Sequence, residues 1–307
     1  MSVIEEFFQD LEARGIPQAQ AARELGCSPG LLSQLKSGTY GGDAAKWLEV
    51  IANYLERERN RSTILEIPIV ETSLLKQIQA ACDIAYDETD ISVITGPAGC
   101  GKSEAFKAYV RKHQDRVYYL EANKATTPHV LVMRLAELLN LSMKGNASDV
   151  TNRIWSFLQG RDTLVIIDQA DDLSDHSLEY LRQIVFDAGQ TGLVLAGLPK
   201  LAGQIMNARN DHDQLLSRVG LYLRLPAVET SEMSQILHSV WPLLDQEVEQ
   251  VFLNKSMLKL RSEYRPSLRR LTKIMKRANK VMVKNRLAQP TAEIVEHAAQ
   301  YIMNQEM

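Results

Sequence analysis

The chain has 307 residues, enough for two or three domains with ample core, and its 45% hydrophobic and 24% charged residues are ordinary for a soluble globular protein. A net charge of −3 excludes a protein that coats nucleic acid with its whole surface, while leaving room for a local basic patch. Cys27, Cys82 and Cys100 are isolated and form no CxxC pair, which offers neither a zinc site nor a disulfide framework and fits a reducing cytosol; the N-terminal MSVIEEFFQD lacks the pattern of a signal peptide, and the apolar runs fall short of a membrane span.

Three regions separate by pattern. Residues 1–58 predict short helices at 4–14, 18–25 and 29–36 and a longer one at 43–58, with Gly15 and Gly26 as punctuation and Ser28-Pro29 as a cap and first turn. The polar stretch RERNRST that follows reads as part of a linker over 59–71. From 72 to 227, apolar runs at 91–95, 117–120, 164–167, 193–196 and 221–225 alternate with helical patterns. That rhythm predicts an α/β domain, a parallel sheet with helices on both faces. From 228 to 307 no convincing strand is visible, and a small helical bundle is expected.

The strongest local signal is GPAGCGKS, Gly96, Pro97, Ala98, Gly99, Cys100, Gly101, Lys102 and Ser103, with Glu104 following. It has the spacing GxxxxGK[ST] and lies between the strand ISVIT and the helix SEAFKAYVRKH. In such a loop the glycines let backbone amides curl around phosphate oxygens, and the helix adds its positive end. Lys102 would reach the outer phosphates of ATP, and Ser103 would ligate magnesium. A second signal, TLVIID, ends an apolar strand in Asp168, where a carboxylate can hold the magnesium ion. Gln169 follows, where an ATPase of this type places a glutamate. An amide orients the attacking water but does not take its proton, so ATP binding is expected to survive while hydrolysis slows. Such a glutamine fits either a naturally slow switch or a substitution that traps the ATP state. The context IIDQAD, one amide away from IIDEAD, favours the second.

With GPAGCGKS, IIDQAD, the strand GLVLAG, the motif LLSR and a helical C-terminal lid in this order, the chain resembles the AAA+ ATPases, and among them the target-selecting ATPases of DNA transposition. The likeness runs over nearly the whole chain, with a helix-turn-helix domain at its N-terminus. It implies that Arg218 in LLSR is an arginine finger reaching the ATP of a neighbouring subunit, with Arg224 a weaker choice. Arg269 in PSLRRL, or its neighbour Arg270, would touch the γ-phosphate within its own subunit. Leu198 departs from the family, which offers a polar side chain there to help position the water.

The segment QAQAARELGCSPGLLSQLKSGTYGGD resembles a helix-turn-helix whose second helix enters a major groove, with Ser28, Ser33, Gln34 and Lys36 as base-reading candidates. Residues 1–61 carry seven Lys/Arg against nine Asp/Glu, so a weak DNA contact and a protein-docking module fit equally well. Between Lys255 and Arg286 lie twelve basic residues, Arg261 among them, and one acid, Glu263. Lys273, Lys276, Arg277, Lys280 and Lys284 recur at helical steps and form a single-sign stripe suited to DNA phosphates, to an acidic partner such as a transposase, or to solvent. In the loop NKATTPH, the family resemblance makes Lys124, Thr126 and Thr127 DNA contacts, with Lys144 added; Thr127-Pro128 also fits a simple helix start. Together these features predict an ATP-dependent, largely sequence-indifferent binder of double-stranded DNA that forms a ring or filament of its own copies and delivers target DNA to a transposase. A helicase-loader or replication-initiation ATPase, and an ATP-gated helix-turn-helix regulator, are the alternatives.

Overall fold

A computed structural model describes residues 2–62, 65–206, 213–260 and 263–303. Residues 63 and 64 of the expected linker and Arg261 of the basic region lie outside them. By its contacts the chain divides into two compact units, one of residues 1–66 with 276–288 and one of residues 67–275 with 289–307.

The first unit opens with four helices, α1 (Val3–Ala13), α2 (Gln18–Leu25), α3 (Pro29–Ser37) and α4 (Ala44–Ser62). Ser2 and Glu5 form a capping box at the start of α1, and Ser28 caps α3 ahead of Pro29. Phe7, Leu11, Ala21, Ala22, Leu25, Leu32, Leu35, Ile51, Tyr54 and Leu55 form its core. The Phe7 ring meets Tyr54 edge to face at 5.6 Å, and Arg14 pairs with the buried Glu58 at 2.6 Å. Helix α4 continues to Ser62, so the start of the expected linker is helical. Arg and Glu are good helix formers, and no glycine or proline interrupts RERNRS, so its polarity does not end the helix.

The second unit holds the expected parallel sheet. In chain order it contains α5 (Ser73–Asp87), β1 (Ile91–Thr95), α6 (Lys102–Lys112), β2 (Val117–Glu121), α7 (Pro128–Leu138), α8 (Ala147–Leu158), β3 (Leu164–Asp168), α9 (Asp175–Leu181), β4 (Gly192–Gly197), α10 (Lys200–Met206), α11 (Asp213–Leu216) and β5 (Val219–Arg224). A 3₁₀ turn at Ala170–Asp172 follows β3, and a π turn at Arg182–Asp187 extends α9. The strand order is β2-β3-β4-β1-β5, all pairs parallel. Residues of β1, β3 and β4 are buried without a break, as a sheet covered on both faces requires.

Side-chain alternation assigns the faces. Ile91, Val93, Val165, Ile167, Leu193 and Leu195 join the core of α7, α8, α9 and α10. On the opposite face Ser92 Oγ donates to Ala81 O of α5, and the Phe106 ring of α6 lies against Tyr119 of β2. Helix α5 approaches β4 so closely that a Cβ on Gly192 would stand 2.1 Å from Ala85 O.

After β5 come α12 (Thr230–Val240), α13 (Gln246–Lys255), β6 (Met257–Leu260), β7 (Glu263–Pro266), α14 (Leu268–Asn285) and α15 (Ala292–Met303). The region is helical apart from β6 and β7, an antiparallel pair that the sequence pattern did not announce. Their residues, MLKL and EYRP, are too few and too charged to stand out as strands. Trp241 stacks on Phe252 at 5.5 Å in the core of this region, and Glu232 accepts the Leu74 N–H at 3.2 Å, tying α12 to α5.

Two outcomes test this packing. Gly192→Ala forces the α5–β4 contact apart and is expected to cost about 1–3 kcal/mol in urea unfolding. Gly41→Ala, where the added methyl meets nothing, should stay within about 0.5 kcal/mol of wild type. Tyr109 Oη donates to Asp83 Oδ1 at 2.7 Å, joining α6 to α5. Burial and that bond push the Tyr109 phenol well above its ordinary value. The neutral phenol is favoured in the fold, so its contribution is whole below about pH 10 and is lost as pH rises through the raised value. The decline of melting temperature above about pH 10 is therefore expected to be shallower in Tyr109→Phe.

Candidate nucleotide site

The GPAGCGKS loop leaves β1 and enters α6 at the carboxyl edge of the sheet, the edge at which open α/β sheets bind ligands. Gly99 and Gly101 take positive φ, 78° and 103°, which turns the loop into the helix. Lys102 is buried; its ammonium donates to Gly96 O at 2.8 Å and Pro97 O at 3.0 Å. Glu104 lies in the first turn of α6 and pairs with Lys107 at 3.2 Å.

Asp168, 1% exposed at the end of β3, gathers the site around its carboxylate. Ser103 Oγ donates to Oδ2 at 2.5 Å, Tyr119 Oη to the same oxygen at 2.9 Å, and the Gln169 N–H to Oδ1 at 2.9 Å. Burial, the Asp168 charge and that hydrogen bond push the Tyr119 phenol far above its usual range. Ser103 and Asp168 thus present hydroxyl and carboxylate oxygens side by side, the hard donors that magnesium prefers. Among the described residues no group of three or more His, Cys, Asp or Glu could hold a metal by itself.

Gln169 has left-handed backbone, φ 56° and ψ 34°, a conformation uncommon among non-glycine residues. Its amide donates to Glu121 Oε1 at the end of β2. Asp171, just beyond, accepts the Leu198 N–H at 2.9 Å and pairs with Lys200 at 3.0 Å. Leu198 itself is exposed and apolar.

The start of α14 closes the loop from the other side. The Leu268 N–H donates to Gly99 O at 3.0 Å. A Cβ on Gly99 would lie 2.8 Å from Ser267 Oγ and 3.6 Å from the Arg269 Cβ, so glycine lets the two segments meet. Arg269 therefore stands beside the phosphate-binding loop, and its side chain is exposed; Arg270 is half-buried. Arg224 ends β5, in register with Thr95 at the end of β1.

Other expected residues lie elsewhere. Arg218 follows α11, is 47% exposed, and pairs with Asp187 at 3.2 Å; Asp187 also binds the buried Arg182. Lys124 and Lys144 are exposed. Thr126 is not presented to solvent: it is 3% exposed, and its hydroxyl donates to Asn123 Oδ1 while accepting the Asn123 N–H. Thr127 caps α7, accepting from the Val130 N–H with Pro128 in the first turn. Ser33 Oγ accepts from Gln18, while Gln34 and Lys36 are exposed, with the Lys36 ammonium 4.4 Å from the Phe8 ring centroid. Along α14, Leu271, Ile274, Met275, Ala278 and Met282 are buried. Lys273, Lys276, Lys280 and Lys284 are exposed and Arg277 is half-buried.

Tyr119 and Glu121 did not emerge from the sequence. Alternation along VYYLE places both on one face of β2, but only the pairing of β2 with β3 brings them to Asp168 and Gln169.

Residues 85–205 match the AAA domain family. The Mu-like prophage FluMu DNA transposition protein B of Haemophilus influenzae is 27% identical over 253 residues, covering 80% of this chain and 88% of that protein. The ATP-dependent target DNA activator B of Escherichia phage D108 is 31% identical over 181 residues, 58% of this chain and 57% of that protein. Among solved structures, the Aeropyrum pernix ORC2 protein in its ADPNP–ADP complexes aligns over 76% of this chain and 69% of its own, with a TM-score of 0.60 at 16% identity, a likeness of fold. The likeness expected from the sequence therefore holds: residues 85–205 match the AAA domain, the fold is that of the AAA+ proteins, and the curated homologues are Mu-like transposition protein B and target DNA activator B.

Proposed function

We propose that the chain is an ATP-dependent DNA-binding ATPase that assembles on double-stranded DNA and presents it as target to a transposase. The observation that carries this most directly is the convergence of Ser103, Asp168 and the start of α14 on the Gly96–Ser103 loop. ATP phosphates would take over the loop amides and the Lys102 ammonium. Ser103 and Asp168 would hold a magnesium ion, which would neutralise charge on the ATP phosphates. Arg269, at the start of α14 beside the loop, would answer to the γ-phosphate of its own subunit.

Arg218 is the residue we assign to a neighbouring subunit's ATP. Its exposed pair with Asp187 contributes at most about 1 kcal/mol and is readily exchanged for phosphate. ATP would then clamp adjacent copies, aligning many weak backbone contacts along one duplex. The exposed lysines of α14, Lys273, Lys276 and Lys280, with Arg277 beside them, supply the principal phosphate contacts, and Lys124 and Lys144 supply further ones. Helices α2 and α3 form the helix-turn-helix of this reading, with Gln34 and Lys36 as secondary contacts. Gln18 Nε2 donates to Pro29 O at 2.7 Å and Ser33 Oγ at 2.8 Å, tying α2 to α3. The names of the relatives, transposition protein B and ATP-dependent target DNA activator B, support the same role for this chain.

Sedimentation and electron microscopy of the full chain with DNA and ATP test this. Wild type is expected to form regular assemblies with ATP. Arg218→Ala should bind ATP within about threefold of wild type yet fail to assemble, and Lys102→Ala should lose both, since one missing charge-assisted phosphate contact costs about 1.5–3 kcal/mol. Equal assembly of all three with and without ATP contradicts the proposal.

A further inference from the structure

Position 169 lacks a carboxylate, but the fold sets one against it. Glu121 ends β2 in register with Asp168. The next residue, Ala122, donates its N–H to Asp168 O at 2.8 Å, which fixes the chain on the far side of Glu121. Tyr119, two residues earlier and on the same face of β2, reaches the Asp168 carboxylate. Gln169 is held from its own side by its left-handed backbone and by its N–H on Asp168 Oδ1. The contact between the Gln169 amide Nε2 and Glu121 Oε1 is thus set by backbone register on both strands.

We propose that Glu121 is the general base of ATP hydrolysis in this chain. With Nε2 committed to Glu121, the Gln169 Oε1 becomes the end of the amide that accepts from water and orients it, which an amide can do. The proton needs a carboxylate, and Glu121 is exposed and in contact with that amide. In the step, the water oxygen bonds to the γ-phosphorus. The bond from that phosphorus to the β–γ bridging oxygen breaks, its electron pair leaving on ADP, and the water's proton passes to Glu121. The carboxylate thus stands at the end of the neighbouring strand β2 and not at position 169. This rests on the ATPase reading, which ATP binding tests separately.

The experiment compares the full chain, Glu121→Gln, Gln169→Glu and the double exchange, with DNA present and Lys102→Ala as background. ATP turnover, affinity for a fluorescent ATP analogue and affinity for ADP–aluminium fluoride are measured on each. Glu121→Gln is expected to lower kcat by about 100-fold or more, the usual contribution of a general base. Its ATP affinity should stay within about threefold, while ADP–aluminium fluoride binding weakens, because the lost interaction belongs to the transition state. The double exchange returns one carboxylate and one amide to the pair and is expected to restore turnover to the wild-type level or above. A Glu121→Gln chain that hydrolyses ATP like wild type overturns the proposal. So does a wild-type chain that binds ATP but turns over no faster than Lys102→Ala. Failure of wild type to bind the analogue overturns the nucleotide reading as well.

Discussion

A buried carboxylate at a strand end must be hydrogen-bonded, and in this chain Asp168 meets that demand by drawing three segments together. Ser103 brings the first turn of α6, Tyr119 brings the edge strand β2, and Gln169 is turned back by its own N–H. The Tyr119 contact follows from the order β2-β3-β4-β1-β5, which pairs β3 with the strand that carries Tyr119, while the Gln169 contact is local to the end of β3. Glycine at position 99 eases the approach of the α14 start, since a Cβ there would lie 2.8 Å from Ser267 Oγ.

Charge is distributed in keeping with this division of labour. The site's own groups are few and internally paired, while the exposed cations are gathered on α14, opposite its buried face of Leu271, Ile274, Met275 and Ala278. A helix amphipathic in this way packs with one side and offers phosphate-binding charge with the other. Helix α14 also begins at the Gly96–Ser103 loop, where the Leu268 N–H meets Gly99 O, so in the proposed function one element would serve both nucleotide and DNA. Over residues 1–61 acids outnumber bases, nine to seven, so the basic stripe lies on α14 and not on the four N-terminal helices.

What was legible in the sequence was what local chemistry decides. The phosphate loop is written in glycines between a strand and a helix, and Ser28-Pro29 and Thr127-Pro128 mark helix starts that the structure confirms. Asp168 was found because it ends a wholly apolar run. What stayed hidden depends on strand pairing: Tyr119 and Glu121 sit in an unremarkable VYYLE, and nothing in it tells which strand lies beside it. Thr126 looked like a surface hydroxyl because composition does not report that Asn123 turns back to claim it. The β6–β7 pair was missed because four-residue charged strands carry almost no periodic signal, and α4 ran on because a polar stretch of Arg and Glu is as good a helix as a linker.

The central claim is that ATP, held at Lys102, Ser103 and Asp168, governs DNA binding without regard to sequence. Fluorescence anisotropy of several unrelated duplexes, titrated with the full chain in the presence and absence of ATP, tests it most directly. Tight binding to every duplex with ATP, weakened on all of them alike when ATP is withheld or salt is raised, is the predicted result. Tight binding to one duplex only, unchanged by ATP, would contradict the account and make the first unit a sequence reader in its own right.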